Sequence, residues 1–284
     1  QGIEDMKLTD KIHLLPLDFE IKLHAQKINR LVNSIIIFGE KITLIDTGVK
    51  GSAAKIFSYI KENGWHFADI ETIILSHSHP DHIGAAAEIK RLTGCRVLAH
   101  EMEKGWIENI ETQVKERPVP GFFDLVDAPV RIDGFLEHCQ KFKADEDVSL
   151  EIIHSPGHSR GSINILFEED RILFTADSIP IKNDIPNYDN FNDLMKSLHS
   201  IRTNKGCSIL LTSWTPPLTD RKEIERFLDE GEGYMKALDD AVRDIYIRDE
   251  SGDLESCRKV IQRLGLPNFY VNPIVDRAFK GHIR

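Results

Sequence analysis

The sequence predicts an α/β fold in which helices cover β-sheets. Three observations carry that expectation. Short β-branched runs recur through the first two thirds of the chain, amphipathic helical patterns lie between them, and from Asp220 onward the pattern is helical only. The chain has 284 residues, 41% apolar and 29% charged, which suits a large soluble domain.

Taken in order, Leu31–Phe38 and Ile42–Ile45 read as strands because Ile, Val and Leu dominate them. Residues 52–61 read as a helix, with Ala53, Ile56, Phe57 and Ile60 on one face. A strand at Thr72–Leu75, a helix over 83–91 and a strand at Arg96–Ala99 follow. Residues 101–143 read as a long insertion: Trp106, Ile107 and Ile110 suggest helix, whereas Pro118, Pro120 and Gly121 break it into loop, the layout of a lid or substrate wall. Strands are then expected at Leu150–Ile153, Ile163–Phe167 and Ile172–Phe174. Beyond Asp220, the stripe of Ile224, Phe227, Leu228, Met235, Leu238, Val242 and Ile245 predicts a helical tail packed on the main domain, and Pro273–Ile283 a final helix. The expected organisation is one domain over residues 1–216 and a tail over 217–284, with no linker or internal repeat between them.

The formal charge is 36 − 46 = −10, and no Lys/Arg run offsets it, so nucleic acid and anionic membrane surfaces are not expected partners. The longest apolar stretch, Ile35–Phe38, is far too short to span a bilayer, and the first twenty residues lack the layout of a signal peptide. Met6 reads as an initiator methionine behind five foreign residues. Cys95, Cys139, Cys207 and Cys257 are widely spaced, with neither a metal knuckle nor a disulfide framework. These features together fit the cytoplasm.

Chemistry concentrates after the third strand. Ser76-His77-Ser78-His79-Pro80-Asp81-His82-Ile83-Gly84 places three imidazoles and a carboxylate within six positions. Those are the usual ligands of zinc and similar divalent ions, and a loop at a strand end can aim several at one point. His13, His24, His66, His100, His138 and His199 have no ligand-spaced neighbours and read as surface or core residues; His154 either faces the site or ends its strand.

His77-x-His79-x-Asp81-His82 resembles the H-x-H-x-D-H signature of the metallo-β-lactamase superfamily. Leu44-Ile45-Asp46-Thr47-Gly48 resembles its early D-T-G turn, His154–Ser162 its P-G-H segment, and Phe174-Thr175-Ala176-Asp177 its strand-end aspartate. The resemblance implies a four-layer αββα sandwich with a C-terminal helical extension. It further implies one or two divalent metals, zinc first and iron or manganese as alternatives, held by His77, His79 and His158 on one side, by Asp81 and His82 on the other, and bridged by Asp177. The nucleophile would be a metal-bound hydroxide, with Asp81 orienting it or moving a proton, and Asp46 would support a ligand or merely stabilise its turn.

One departure stands out. Where the superfamily closes its second metal site with a histidine, this chain has Thr212-Ser213-Trp214-Thr215, and an indole cannot ligate a cation. Ser213, Asp184, Asp189, Tyr188 and His282 are candidate substitutes, His282 being either a surface residue or folded back over the site. Trp214 is a candidate substrate wall and Tyr188 a candidate donor to a substrate carbonyl. The implied activity is hydrolysis of a small ester, thioester or lactone, as in the glyoxalase II-like and lactonase-like branch. A mononuclear-iron persulfide dioxygenase, a phosphodiesterase and a non-catalytic ligand sensor are the alternatives; a homodimer is compatible with any of them.

Overall fold

A computed structural model of the chain describes residues 4–23, 26–204, 206–247 and 254–283. The first half of the chain builds one sheet. Strands β1 (Met6–Lys7), β2 (Ile12–Leu23), β3 (Gln26–Phe38) and β4 (Ile42–Ile45) pair antiparallel. Helix α1 (Ala53–Glu62) leads to β5 (Ile70–Ile74), which continues in parallel with β4. Helices α2 (Pro80–Ile83) and α3 (Ala86–Thr93) precede β6 (Arg96–Ala99), and α4 (Lys104–Ile107), α5 (Ile110–Glu116) and α6 (Phe122–Leu125) precede the edge strand β7 (Gly134–Phe135).

The second sheet comprises β8 (Lys141–Asp145), β9 (Val148–His154), β10 (Ile163–Phe167), β11 (Ile172–Phe174) and, after α7 (Phe191–Thr203), β12 (Ile209–Leu211). Helices α8 (Arg221–Tyr246), α9 (Leu254–Arg263) and α10 (Pro273–Lys280) complete the fold.

Strand alternation makes the layers. Ile12, Leu14, Ile35, Ile37, Ile45 and Ile74 turn toward the second sheet, where they meet Leu150, Ile152, Ile163, Ile165, Phe167 and Phe174. Their neighbours Leu15, Leu17, Ile36, Leu44 and Ile73 turn the other way, onto α1 and α3. On the far side, Leu173 and Leu210 share a core with Leu194 and Leu198 of α7, Met235 and Leu238 of α8, and Val275 and Phe279 of α10. Full burial of each such side chain contributes roughly 1.5–3 kcal/mol. The result is the expected αββα sandwich. Among the described residues, no helix is long and apolar enough to cross a membrane.

Several expectations are corrected. The helix expected over 83–91 is two helices, broken at Gly84, where a Cβ would lie 2.2 Å from the Leu125 carbonyl oxygen and 2.5 Å from the Val49 Cα. Residues 101–143 are not irregular throughout, since their end supplies edge strands to both sheets. The final helix stops at Lys280 rather than Ile283. Strands β2, β8 and β12 and helix α7 escaped the sequence reading. His24 and Gln1 to Ile3 lie outside the described residues.

Candidate metal centre

The candidate ligands leave the ends of β5, β9 and β11, so both sheets supply the site. The β5 chain passes through Ser76 into the loop that presents His77 and His79, and Pro80 opens α2, carrying Asp81 and His82. A proline at the first helical position suits its fixed φ and missing N–H. His158 sits in a tight loop after β9, pinned by Ser155 N–H to the Ser162 carbonyl at 2.7 Å. That loop turns at Gly157, φ +126°, where a Cβ would lie 2.2 Å from the Leu194 nitrogen of α7, so only glycine fits. Asp177 follows β11.

These residues form two groups whose ligand atoms all lie within 4.8 Å of one another: His77, His79, His158 and Asp177, and Asp81, His82 and Asp177. The two carboxylate oxygens of Asp177 divide between them. Its Oδ2 lies 3.3 Å from His158 Nε2 and 3.9 Å from His77 Nε2, whereas its Oδ1 lies 3.3 Å from His82 Nε2. Asp81 Oδ2 is 3.5 Å from the same His82 nitrogen.

A buried acid and base in contact would normally be satisfied by hydrogen bonds, yet Nε2 of His77 and of His82 and Oδ1 of Asp177 have no hydrogen-bond partner among the described residues, and His158 Nε2 faces His79 Nδ1 at 2.8 Å. Each such orphan costs roughly 1–3 kcal/mol. Convergent lone pairs without protons to share are what a divalent cation requires, so the residues fit a metal. The electrostatics of three of the four imidazoles agree. Burial, reinforced by neighbouring imidazoles, holds His77 and His79 well below the usual imidazole range, and burial also lowers His158 against the pull of Asp177. For His82, burial is outweighed by Asp177, Asp81 and Asp46, which raise it well above that range. Burial likewise opposes charge on Asp177, but His82 and the other imidazoles hold it well below the usual carboxylate range.

Behind the ligands lies a support that fixes their tautomers. Asp46, fully buried at φ +59°, accepts from Ser76 N–H at 2.7 Å and Ser76 Oγ–H at 2.6 Å, and lies 2.7 Å from His82 Nδ1. Because the Ser76 proton goes to Asp46, its oxygen is left to accept from His77 Nδ1, 3.0 Å away. Both imidazoles then carry hydrogen on Nδ1, which leaves Nε2 as the nitrogen each turns toward Asp177. A left-handed backbone at a non-glycine costs of order 1–3 kcal/mol, and here it coincides with the residue that orients two ligands.

Three supporting residues were missed by sequence reasoning. The Glu103 carboxylate accepts from Ser78 N–H at 2.9 Å, Ser159 Oγ–H at 2.7 Å and Gly161 N–H at 2.5 Å, tying the His77–His79 loop to the His158 loop. Gln113 donates to the Ser78 carbonyl at 2.7 Å. Arg117, also buried, donates to Asn187 Oδ1 at 2.8 Å and borders the same cavity as Asp81 and Asp177. Their one sequence signal was their setting in residues 101–143, flagged as a substrate wall.

The candidate substitutes for the closing histidine separate clearly. Asp184 makes a bidentate pair with Arg30 at 2.7 and 2.6 Å, and Asp189 pairs with Arg277 at 2.7 Å. His282 is buried rather than on the surface: its Nδ1 lies 2.8 Å from Asp239 Oδ1, its Nε2 2.5 Å from Tyr188 Oη, and its ring stacks on Phe191 at 4.4 Å. With its Nδ1 proton directed to Asp239, His282 accepts from Tyr188, whose hydroxyl proton is thereby committed away from a substrate carbonyl. Of these candidates, Ser213 Oγ and Asp189 Oδ2 are buried without a hydrogen-bond partner among the described residues. Trp214 stands edge-on to His82, ring centroids 6.4 Å apart.

Asp81, His158, Asp177 and Trp214 border a cavity of about 150 Å³. The rest of its wall is mainly apolar and includes Ile28, Ile179, Ile181, Ile185 and Met235. Of the remaining histidines, His13 is buried 3.1 Å from Tyr59 Oη, His154 Nε2 lies 3.0 Å from the Arg160 carbonyl, and none among the described residues joins the two groups.

Comparison with known proteins agrees with this architecture. A hydroxyacylglutathione hydrolase of Rhodopseudomonas palustris (strain BisB5) is 30% identical over 127 residues, 45% of this chain and 40% of that protein. One from Haemophilus influenzae is 29% identical over 135 residues, 47% of this chain and 59% of that protein. The chain thus spans less than two thirds of the length of these relatives. A metallo-beta-lactamase family protein of Thermus thermophilus superposes with a TM-score of 0.78 at 19% identity, over 98% of this chain and 94% of that one. The profile of the metallo-beta-lactamase superfamily matches residues 29–228, more than two thirds of the sequence, and the chain belongs to that superfamily.

Proposed function

We propose that the protein is a metal-dependent hydrolase of a small ester, thioester or lactone. The observation that carries the reading is the pair of ligand groups sharing Asp177, in which Nε2 of His77 and of His82 lack hydrogen-bond partners among the described residues, beside a mainly apolar cavity. His77, His79, His158 and Asp177 would hold one divalent cation, and Asp81, His82 and Asp177 a second, with Ser213 Oγ and Asp189 Oδ2 the remaining candidates to complete it. Divalent cations there would supply Lewis acidity, polarising the scissile carbonyl and acidifying a water.

The chain's own groups do the rest. Asp46 and Ser76 keep His82 and His77 in the ligating tautomer. Asp81, less buried than the other ligands, faces the cavity and can carry a proton to the departing oxygen or sulfur. Ile28, Ile179, Ile181 and Ile185 seat the carbon skeleton and exclude bulk water, while Trp214 supplies a flat wall beside His82. The relatives named hydroxyacylglutathione hydrolases support an acyl-transfer substrate and favour the thioester among the three.

Elemental analysis of protein purified without added metal, followed by a panel of acyl thioesters, esters and lactones, tests the proposal. One to two zinc or manganese per chain with turnover of one class, both lost in His158→Ala, is expected. About one iron per chain, oxygen uptake with a persulfide and no hydrolysis would replace this reading by the dioxygenase one.

A further inference from the structure

We infer that Arg117 reads a carboxylate on the ligand of this cavity, so that the substrate class is an apolar acyl compound bearing one carboxylate near its scissile bond. The inference rests on the reading of the cavity as the substrate site. Its starting point is an unmatched donor. Arg117 is 3% exposed, and Nη2 donates to Asn187 Oδ1 at 2.8 Å, but Nη1 is buried with no hydrogen-bond partner among the described residues. The Arg117-Pro118 junction places it there: a residue before proline avoids the helical region, so α5 ends at Glu116 and Arg117 turns out of the helix.

Of the other cations, Arg30 on the cavity wall and Arg277 near Arg117 are already matched. Arg30 gives both terminal nitrogens to Asp184, and Arg277 is bound to Asp189 while lying 5.3 Å over the Trp106 ring. Burial lowers the Arg117 guanidinium to about 10, which still leaves it charged at neutral pH. Its neighbouring carboxylates are Asp189, whose Oδ1 is bound by Arg277 and whose Oδ2 is buried without a hydrogen-bond partner among the described residues, and Asp81 and Asp177 of the ligand groups, so the nearest charge is shared with Arg277 and leaves Nη1 without an acceptor. A buried cation with free donors is costly to maintain, and an anion delivered by the ligand completes it. A carboxylate suits the site better than a phosphate dianion, because the single unpaired nitrogen of Arg117 offers few donors and the isoleucine-rich wall offers none to further oxygens. The apolar remainder of the ligand follows from the isoleucine-rich wall.

The test is calorimetric titration of the purified, metal-loaded protein with hexanoate and with its neutral isostere hexanamide, in wild type, Arg117→Met and Arg117→Lys. Hexanoate should bind wild type roughly ten- to hundredfold more tightly than hexanamide, the range of one charge-assisted hydrogen bond, and Arg117→Met should erase most of that ratio. Metal content and the melting curve check the variants. Should Arg117→Met not fold, Asn187→Ala, which releases the guanidinium from its hydrogen bond, is expected to reduce the ratio severalfold. Equal binding of the two probes by wild type, or hexanoate binding undiminished in the variants, overturns the inference; the latter result would place the carboxylate on the metals alone. Failure of the hydrolase reading is distinguishable, because loss of the hexanoate preference in Arg117→Met without turnover of any acyl substrate would leave Arg117 as the anion reader and remove the reaction.

Discussion

Replacing Glu103 by alanine should uncouple the two ligand loops. Three donors converge on that carboxylate: Ser78 N–H, Ser159 Oγ–H and Gly161 N–H. The Ser159 hydroxyl keeps an alternative at Ser162 Oγ, 2.7 Å away, but the two backbone N–H groups would be left buried without acceptors. At about 1–3 kcal/mol each, the expected loss of stability is about 2–6 kcal/mol. Glu103→Gln preserves the shape and one acceptor oxygen, yet presents an amide donor to one of the two sides, so about half of that loss is expected. Urea unfolding of metal-free protein measures the stability, and chelator competition measures zinc affinity, which should fall tenfold or more when a group behind the ligands is removed. If Glu103→Ala unfolds within 0.5 kcal/mol of wild type, a threshold of roughly the error expected for an inert surface change, and holds zinc equally well, Glu103 is no strut between the loops.

Other consequences can be checked separately. Trp214→His should raise the metal retained after dialysis by up to one ion per chain, because an imidazole beside His82 offers the lone pair an indole lacks; unchanged stoichiometry would show that Ser213 or another group already closes the site. His282 is held neutral, burial lowering its pKa against the opposing effect of Asp239. Its protonation is therefore easier in the unfolded chain, so its contribution to stability is present above the unfolded pKa and is lost as pH falls through about 6.5. His282→Gln should flatten the stability profile between pH 7 and 5 by at most about 1.4 kcal/mol per pH unit, and an unaltered slope would refute this account.

The parts of the fold and site that were legible in the sequence are those written in short stretches of chain. Ile42–Ile45, Arg96–Ala99, Ile163–Phe167 and Ile172–Phe174 coincide with observed strands because each is a β-branched run in a buried setting. The placement of His77, His79, Asp81 and His82 at one strand end was readable for the same reason. Strand β2 was hidden by Pro16, which normally argues against a sheet interior. It is tolerated because β1 pairs only with His13 and Leu14, leaving Pro16 on an open edge where no N–H is required. Helix α7 did carry a signal, Phe191, Leu194, Leu198 and Ile201 at helical spacing behind the Asn190 cap. Glu103 and Arg117 had no local signature at all. Glu103 acts on Ser78, 25 positions earlier, and on Ser159, 56 positions later, and no local pattern in a single sequence announces such partners.

The donation of ligands by both sheets has a mechanical consequence. His77, His79, Asp81 and His82 belong to the first half of the sandwich and His158 and Asp177 to the second, so a bound cation is a rivet through the seam between them. Loading at a thousand times the dissociation constant adds about 4.1 kcal/mol to the resistance of that seam to opening. Amide exchange should therefore slow most along the facing strands β4, β5, β10 and β11, and the two halves should then open as one cooperative unit rather than in succession.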